Sequence, residues 1–148
     1  MANGFSATTT INRPIEEVFA FLADGENDKK FSSRVLEIHK TTDGPPGAGT
    51  VFKSTVKDAG MKSNREFELT EFETPTKIRW SERSKNSVTV PNGGYDLAPA
   101  GDGATQVTIF NEFQGHGVGK LLVPLAARSA RKGADAFAAS IKAAVEAG

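Results

Sequence analysis

The order of apolar and polar positions in the first thirty residues predicts a strand and then a short helix. Apolar and β-branched side chains alternate over residues 4–11, as on a half-buried strand. Helical spacing follows, with Asn12 in a position to act as N-cap and Pro14 near the first turn, and the helix should end close to Asp24. Residues 26–32 are expected to form a further helical turn or a loop.

The middle of the chain, from residue 34 to residue 114, reads as strands joined by turns rich in glycine and proline. The motif Pro91-Asn92-Gly93-Gly94 interrupts one of these strands and predicts a bulge or bend. Because consecutive strands are joined as hairpins, we expect an antiparallel sheet. The predicted helices are grouped near the two ends of the chain, so the fold class is α+β. The predicted strands are 34–42, 50–58, 62–73, 77–84, 87–98 and 103–114.

The last thirty residues predict a long amphipathic helix with one apolar stripe. A helix of this kind needs a broad partner, and the preceding strands make that partner a sheet. A long helix across a strongly curved sheet tends to enclose a cavity, which is where function would lie. The stripe is expected to contain Leu121, Leu122, Leu125, Ala130, Ala134, Phe137, Ile141 and Val145.

Length and charge restrict the class of protein. With 148 residues, the chain is expected to form one domain over residues 1–148. The 18 basic and 18 acidic residues balance, and no long basic stripe is present, which argues against a nucleic-acid partner. The small basic cluster Arg128, Arg131 and Lys132 fits a solvated helix face.

No sequence motif indicates a metal, a cofactor or a membrane span. There is no cysteine, and two distant histidines offer no metal site. The stretch at 115–120 is one residue short of a phosphate loop and lacks its hydroxyl residue. The N-terminus lacks the features of a signal peptide, and the apolar run 121–127 is far too short to cross a bilayer, so a cytoplasmic protein without cofactor or integral membrane segment is expected.

Three segments in combination resemble one superfamily over essentially the whole chain. They are INRPIEEVFAFLAD at 11–24, PNGGYDLAPAGDGATQVT at 91–108 and the Leu-x-x-Pro-Leu helix at 115–146. This organisation is similar to the START-like, or polyketide cyclase/dehydrase and lipid-transport, superfamily, which also includes the birch-pollen allergens. The resemblance implies the helix-grip fold, in which a curved antiparallel sheet of about seven strands wraps a long C-terminal helix, with two short helices after the first strand. Phe31 stands where many relatives carry Trp.

Relatives of this fold hold hydrophobic or amphipathic molecules between the sheet and the terminal helix, and the strand phases indicate compatible positions. The same positions also fit an ordinary filled core, and the sequence leaves these alternatives open. The predicted ligand-binding residues are Phe52, Ser54, Val56, Phe67, Leu69, Ile78, Trp80, Glu82, Tyr95, Leu97, Ile109, Asn111, Leu125, Phe137 and Ile141.

Few polar residues are candidates for acid–base chemistry. Glu82 shares the phase of Trp80 and should point into the concavity with Arg65 as a partner, unless the strand frays there and leaves Glu82 at a solvated rim. His116 lies in the joint before the long helix, near the expected pocket mouth, whereas His39 is expected to be exposed.

These observations support two functional hypotheses and do not decide between them. The first is a carrier or sensor that takes up a lipid, polyketide or isoprenoid-like molecule unchanged. The second is an aromatase/cyclase-like enzyme that uses acid–base residues in the same cavity. A partner-binding regulator is a third alternative, and the oligomeric state is left open.

Overall fold

A computed structural model of the chain describes residues 3–58 and 60–148. The helices are α1 (Ile15–Ala23), a 3₁₀ helix (Gly25–Lys30) and α2 (Gly119–Ala147). The strands are β1 (Gly4–Ile11), β2 (Val35–Lys40), β3 (Val51–Asp58), β4 (Met61–Glu73), β5 (Lys77–Glu82), β6 (Val88–Pro99) and β7 (Thr105–Gly115).

All seven strands belong to one antiparallel sheet in the order β1-β7-β6-β5-β4-β3-β2. Strands β2 to β7 follow one another as hairpins, and β1 joins the sheet by pairing with β7. The predicted α+β class and the antiparallel hairpin order are therefore confirmed.

Two local predictions have different outcomes. The bulge expected near Pro91 is present, because the pairing of β6 with β7 shifts register between Thr89 and Asn92. Asn12, in contrast, does not cap α1. The helix begins at Ile15, and the backbone N–H of Asn12 donates instead to Glu146 at the end of α2, at 2.8 Å.

Helix α2 lies against one side of the sheet, where it packs mainly on β1 and β7. The stripe predicted for its first half is wrong: Leu121, Leu122 and Leu125 are exposed, and Val123 and Ala127 are buried in their place. Leucines three and four residues apart form a helical face as regular as the true one, so periodicity alone could not identify the buried side. The second half follows the prediction, with Ala134, Ile141 and Val145 buried.

Because α2 lies along β1 and β7, it does not pack closely on the strands from β2 to β5. The 3₁₀ helix contacts β2 and covers part of this region. Among the described residues, no helix combines the length and the hydropathy needed to cross a membrane.

Candidate functional site

A cavity of about 780 Å³ lies between α2 and the concave face of the sheet. All seven strands, α1, the 3₁₀ helix and α2 contribute to its wall. Ligand sites in proteins typically have volumes of about 300–1,000 Å³ and mostly apolar walls. The cavity therefore has the size and the position expected of a site for a small organic molecule.

Small side chains on α2 keep this space open. The helix faces the cavity with Ala126, Ser129, Ala130, Gly133 and Ala136, which fill little of the volume that larger residues would occupy. Further along the same face, Phe137 is the large side chain that α2 contributes to the wall, followed by Ser140.

The cavity opens to solvent along the edge of α2. Ser129, Gly133 and Ala136 are exposed although they line the cavity, as are Ser33 and Arg34 on the opposite side. Arg34 also pairs with Asp58, whose pKa is lowered chiefly by the hydrogen bond from Arg34. This ion pair lies on the wall close to the exposed residues and so marks the rim of the opening.

Most residues that strand phase predicted to face inward lie on the cavity wall. They include aromatic rings that meet edge to face, as Trp80 and Tyr95 do at a centroid separation of 5.1 Å. Phe31, at the position where many relatives carry Trp, is also on the wall and packs against Phe137. The predicted residues found there are Phe52, Ser54, Val56, Phe67, Leu69, Ile78, Trp80, Tyr95, Ile109, Asn111 and Phe137.

Four predicted residues lie elsewhere. Leu97 and Ile141 are buried in the core and are not part of the cavity wall. Leu125 is exposed to solvent and is not part of the cavity wall. Glu82 points inward as predicted, but its polar contacts enclose it completely and its side chain has 0% exposure.

Glu82 forms a fully satisfied ion pair with Arg65. The Arg65 Nη1 atom lies 3.1 Å from Glu82 Oε2, and Glu82 also accepts hydrogen bonds from Ser84, Asn86 and the backbone N–H of Val90. The strand therefore does not fray at this point. A carboxylate with its acceptor sites filled by the protein has little capacity left for a ligand, so the geometry supports a structural role.

Neither histidine lies on the cavity wall. His116 is exposed, and its Nε2 atom lies 2.8 Å from the Thr89 hydroxyl. His39 is exposed on β2, as expected from its strand phase. The described residues also contain no group of three or more potential metal-ligating side chains.

A hydrogen bond between two wall residues fixes the orientation of Asn111. The Trp80 indole N–H donates to Asn111 Oδ1 at 2.8 Å. Because an indole nitrogen can only donate, the amide oxygen of Asn111 must face Trp80 and its NH₂ group must point away. The described residues offer that NH₂ group no acceptor, so it is a free donor beside the cavity.

Asp28 is the polar wall residue that the sequence analysis missed. It belongs to the 3₁₀ helix, and its carboxyl group makes no hydrogen bond or ion pair with any described side chain or backbone N–H. Burial, with a smaller effect of the Asp24 carboxylate, raises the pKa of Asp28 to about 7. The charged segment ENDKKFS gave no signal for this, because a short turn lacks the periodicity that would assign one residue to the interior.

Tyr95 lies within electrostatic range of Asp28. Burial and then the Asp28 carboxylate raise the pKa of the Tyr95 phenol well above its usual range, so the phenol stays protonated. Among the described residues, every side-chain oxygen or nitrogen that is fully buried has a hydrogen-bond partner. The Tyr95 hydroxyl has no such partner. It must therefore be accessible from the cavity that Tyr95 lines. Tyr95, Asn111 and, below neutral pH, protonated Asp28 thus offer unpaired hydrogen-bond donors on a mostly apolar wall.

Comparison with known proteins identifies relatives by sequence pattern and by fold. The sequence model of the family described as polyketide cyclase/dehydrase and lipid transport matches residues 4–146. No curated protein matches the chain in sequence.

Solved structures share the fold at low sequence identity. The protein TTHA0849 from Thermus thermophilus is 19% identical with a TM-score of 0.79, and the match covers 97% of both chains. The ZhuI aromatase/cyclase from Streptomyces sp. R1128 is 16% identical with a TM-score of 0.77, over 97% of this chain and 93% of that one. Ara h 8.0201 is 19% identical with a TM-score of 0.67, over 98% of both. The predicted helix-grip fold is thereby confirmed.

Proposed function

The chain belongs to the polyketide cyclase/dehydrase and lipid transport family, and we propose that it binds a small hydrophobic or amphipathic molecule in the cavity between α2 and the sheet. The ligand class is a lipid, a polyketide or an isoprenoid-like molecule, and the role is that of a carrier or sensor. The observation that carries this proposal is the cavity itself, with a volume of about 780 Å³.

The composition of the wall supports an oily ligand. Aromatic and aliphatic side chains from all seven strands contribute to the concave surface, and burying apolar ligand area against them is favourable by about 25 cal/mol per Å². The fully buried carboxylate of Glu82 is neutralised by Arg65 and imposes no charge requirement on the ligand.

The free donors give the ligand a preferred orientation. Tyr95 and Asn111 come from adjacent strands, and both leave a donor unpaired. An apolar molecule bearing a carbonyl or ether oxygen would place that oxygen near these two residues and its hydrocarbon part along α2.

Two measurements test the proposal. Native mass spectrometry of gently purified protein should reveal a co-purified lipophilic molecule, and an apolar fluorescent dye should bind with one-to-one stoichiometry and be displaced by long-chain ketones or fatty acids. Quenching of Trp80, the single tryptophan, reports binding in the cavity directly. Absence of binding across a broad panel of apolar molecules would refute the carrier role.

One specific observation favours a cyclase-like enzyme as a second candidate. Asp28 faces the cavity without a partner, and its pKa of about 7 is close to the pH at which a general acid or base works best. In this alternative Asp28 transfers protons to and from a reactive carbonyl chain, while Tyr95 stabilises the developing enolate oxygen by hydrogen bonding.

The two candidates are separated by turnover. Incubation with a polyketide-like thioester should give cyclised product if the protein is an enzyme, and Asp28→Asn should then reduce turnover by about 10²–10⁴-fold while ligand affinity is retained. Binding without any product, unchanged by Asp28→Asn, would favour the carrier. His116→Ala serves as the control for a histidine outside the cavity wall.

A further inference from the structure

The first half of α2 carries an exposed apolar patch that the cavity does not explain. We use the term leucine patch for Val118, Leu121, Leu122 and Leu125, whose exposures are 72%, 80%, 46% and 62%. They are spaced at i, i+3, i+4 and i+7 and so form one face of the helix. Large apolar side chains that are exposed together usually mark a site of interaction.

Basic side chains lie beside this patch. Residues 113–140 contain Lys120, Arg128, Arg131 and Lys132 and a single acidic residue, Asp135, although the chain as a whole is neutral. Arg128 and Lys132 follow Leu125 by three and seven residues, which places them beside the patch on the same side of the helix. The exposed leucines and their basic neighbours have the pattern of a helix that lies in a membrane interface.

The leucine patch is also next to the opening of the cavity. Ser129, which is exposed and lines the cavity, lies four residues after Leu125 and seven after Leu122, so it continues the same helical row. Gly133 and Ala136 extend the opening further along α2. A surface that covers the patch would therefore face the route into the cavity.

We propose that the leucine patch docks α2 onto an anionic lipid bilayer, with the leucines inserted among the acyl chains and the basic residues against the lipid headgroups. Charge complementarity selects this occupant over a second copy of the chain. In a symmetric dimer the same surface meets itself, so Arg128 and Lys132 of both copies would face each other with only Asp135 as a nearby acidic residue on α2. A bilayer containing anionic lipid offers both an apolar phase and the opposite charge.

Vesicle sedimentation tests the docking directly and without any cavity ligand. The protein should sediment with vesicles of equal parts phosphatidylcholine and phosphatidylglycerol, and only weakly with phosphatidylcholine alone. Leu121→Ser combined with Leu125→Ser should lower the partition coefficient by at least about tenfold. Arg128→Gln combined with Lys132→Gln should lower it by about fivefold per charge, and high salt should weaken binding further.

Matched controls keep this test independent of folding and of the cavity. Leu36 and Met61 are also exposed and apolar but lie on β2 and β4, so Leu36→Ser and Met61→Ser should leave partitioning unchanged. All variants should keep the unfolding midpoint of the wild-type protein because the substituted side chains are exposed. Equal binding to both vesicle types, or binding to neither, would overturn the proposal. A dimer in light scattering that the Leu121→Ser, Leu125→Ser variant abolishes would overturn it in favour of self-association.

Discussion

Trp80 and Asn111 are joined by a 2.8 Å hydrogen bond that passes over Gly93, the residue paired with both of them in the sheet. Trp80 is on β5, Asn111 on β7 and Gly93 on β6 between them. A β-carbon on Gly93 would lie 2.1 Å from Asn111 Oδ1 and 2.4 Å from Trp80 Nε1. Only glycine leaves room for the two side chains to meet, so the polar part of the wall depends on the central strand having no side chain there.

Gly93→Ala is therefore expected to destabilise the fold by about 2–4 kcal/mol. The new methyl group would break the Trp80–Asn111 hydrogen bond and would also press against the Phe110 carbonyl oxygen, 2.9 Å away. Chemical denaturation, followed by the fluorescence of Trp80, measures the combined loss in the free energy of unfolding. Gly133→Ala is the matched control, because nothing lies within 4 Å of its β-carbon, and it should stabilise α2 by up to about 1 kcal/mol. Equal effects of the two substitutions would contradict the packing argument.

Glu82→Gln should cost about 2–4 kcal/mol of unfolding free energy. The amide would leave Arg65 without its counter-ion and would place an NH₂ group against the donor from either Asn86 or Val90, depending on which oxygen it replaces. Arg83→Gln is the surface control, since Arg83 is half exposed and makes only long ion pairs, and its cost should stay below about 1 kcal/mol. Dye binding at saturating protein should survive both substitutions; its loss in a folded Glu82→Gln variant would restore Glu82 as a ligand-binding group.

Asp28→Asn should change how stability depends on pH. Burial raises the pKa of Asp28 from 3.8 to about 7, so the folded state holds this proton more tightly than the unfolded chain does. The stability that this provides is fully present below pH 3.8 and is lost as the pH rises through about 7. The variant should thus be more stable than wild type at pH 8, by about 1–3 kcal/mol after allowance for solvent in the cavity.

Thermal unfolding of both proteins from pH 4 to pH 8 checks this prediction by the difference between the two curves. Asp102→Asn, at an exposed turn, is the control and should show no such difference. A constant offset between wild type and Asp28→Asn across the whole range would show that Asp28 is not protonated at neutral pH.

Ala130→Trp should obstruct the cavity with little effect on folding. Ala130 faces the cavity, so an indole there would enter empty space and not displace packed side chains. We expect ligand or dye affinity to fall by at least about tenfold, because the indole takes up much of the space in which apolar ligand surface is buried. Ala139→Trp, on the exposed side of the same helix, should leave affinity unchanged. Isothermal titration on both variants is the measurement, and equal affinities would place the ligand outside the cavity.

The inward-facing residues of the sheet were predictable because side chains alternate between its two faces, so burial of one face fixes which residues point inward. Phe52, Phe67 and Trp80 all occupy the inward positions that their phase required. The pairing of Glu82 with Arg65 followed from the same alternation, since residues in phase on neighbouring strands share a face.

The helix face and the key carboxyl group were less accessible to sequence reasoning. Helical spacing predicts Leu125 on the buried side, yet the close approach of α2 to β1 and β7 favours smaller side chains such as Val123 and Ala127 there. The sequence does not reveal the position of Asp28, because residues distant in sequence enclose it. Burial of that kind leaves no periodic pattern in the neighbouring residues. The carboxyl group of Asp28 points to a function only in the context of the cavity wall that surrounds it.

The cavity face of α2, made of alanine, serine and glycine apart from Phe137, has a consequence for how this protein can diversify. The α2 side of the cavity belongs to a single helix, whereas the strands opposite are held to one another by their β-pairing register. Substitutions in that row of α2 can therefore increase or reduce the cavity volume while every β-strand pairing is retained. The residues that limit the cavity beside α2 and the residues that pair the strands thus lie in separate parts of the chain.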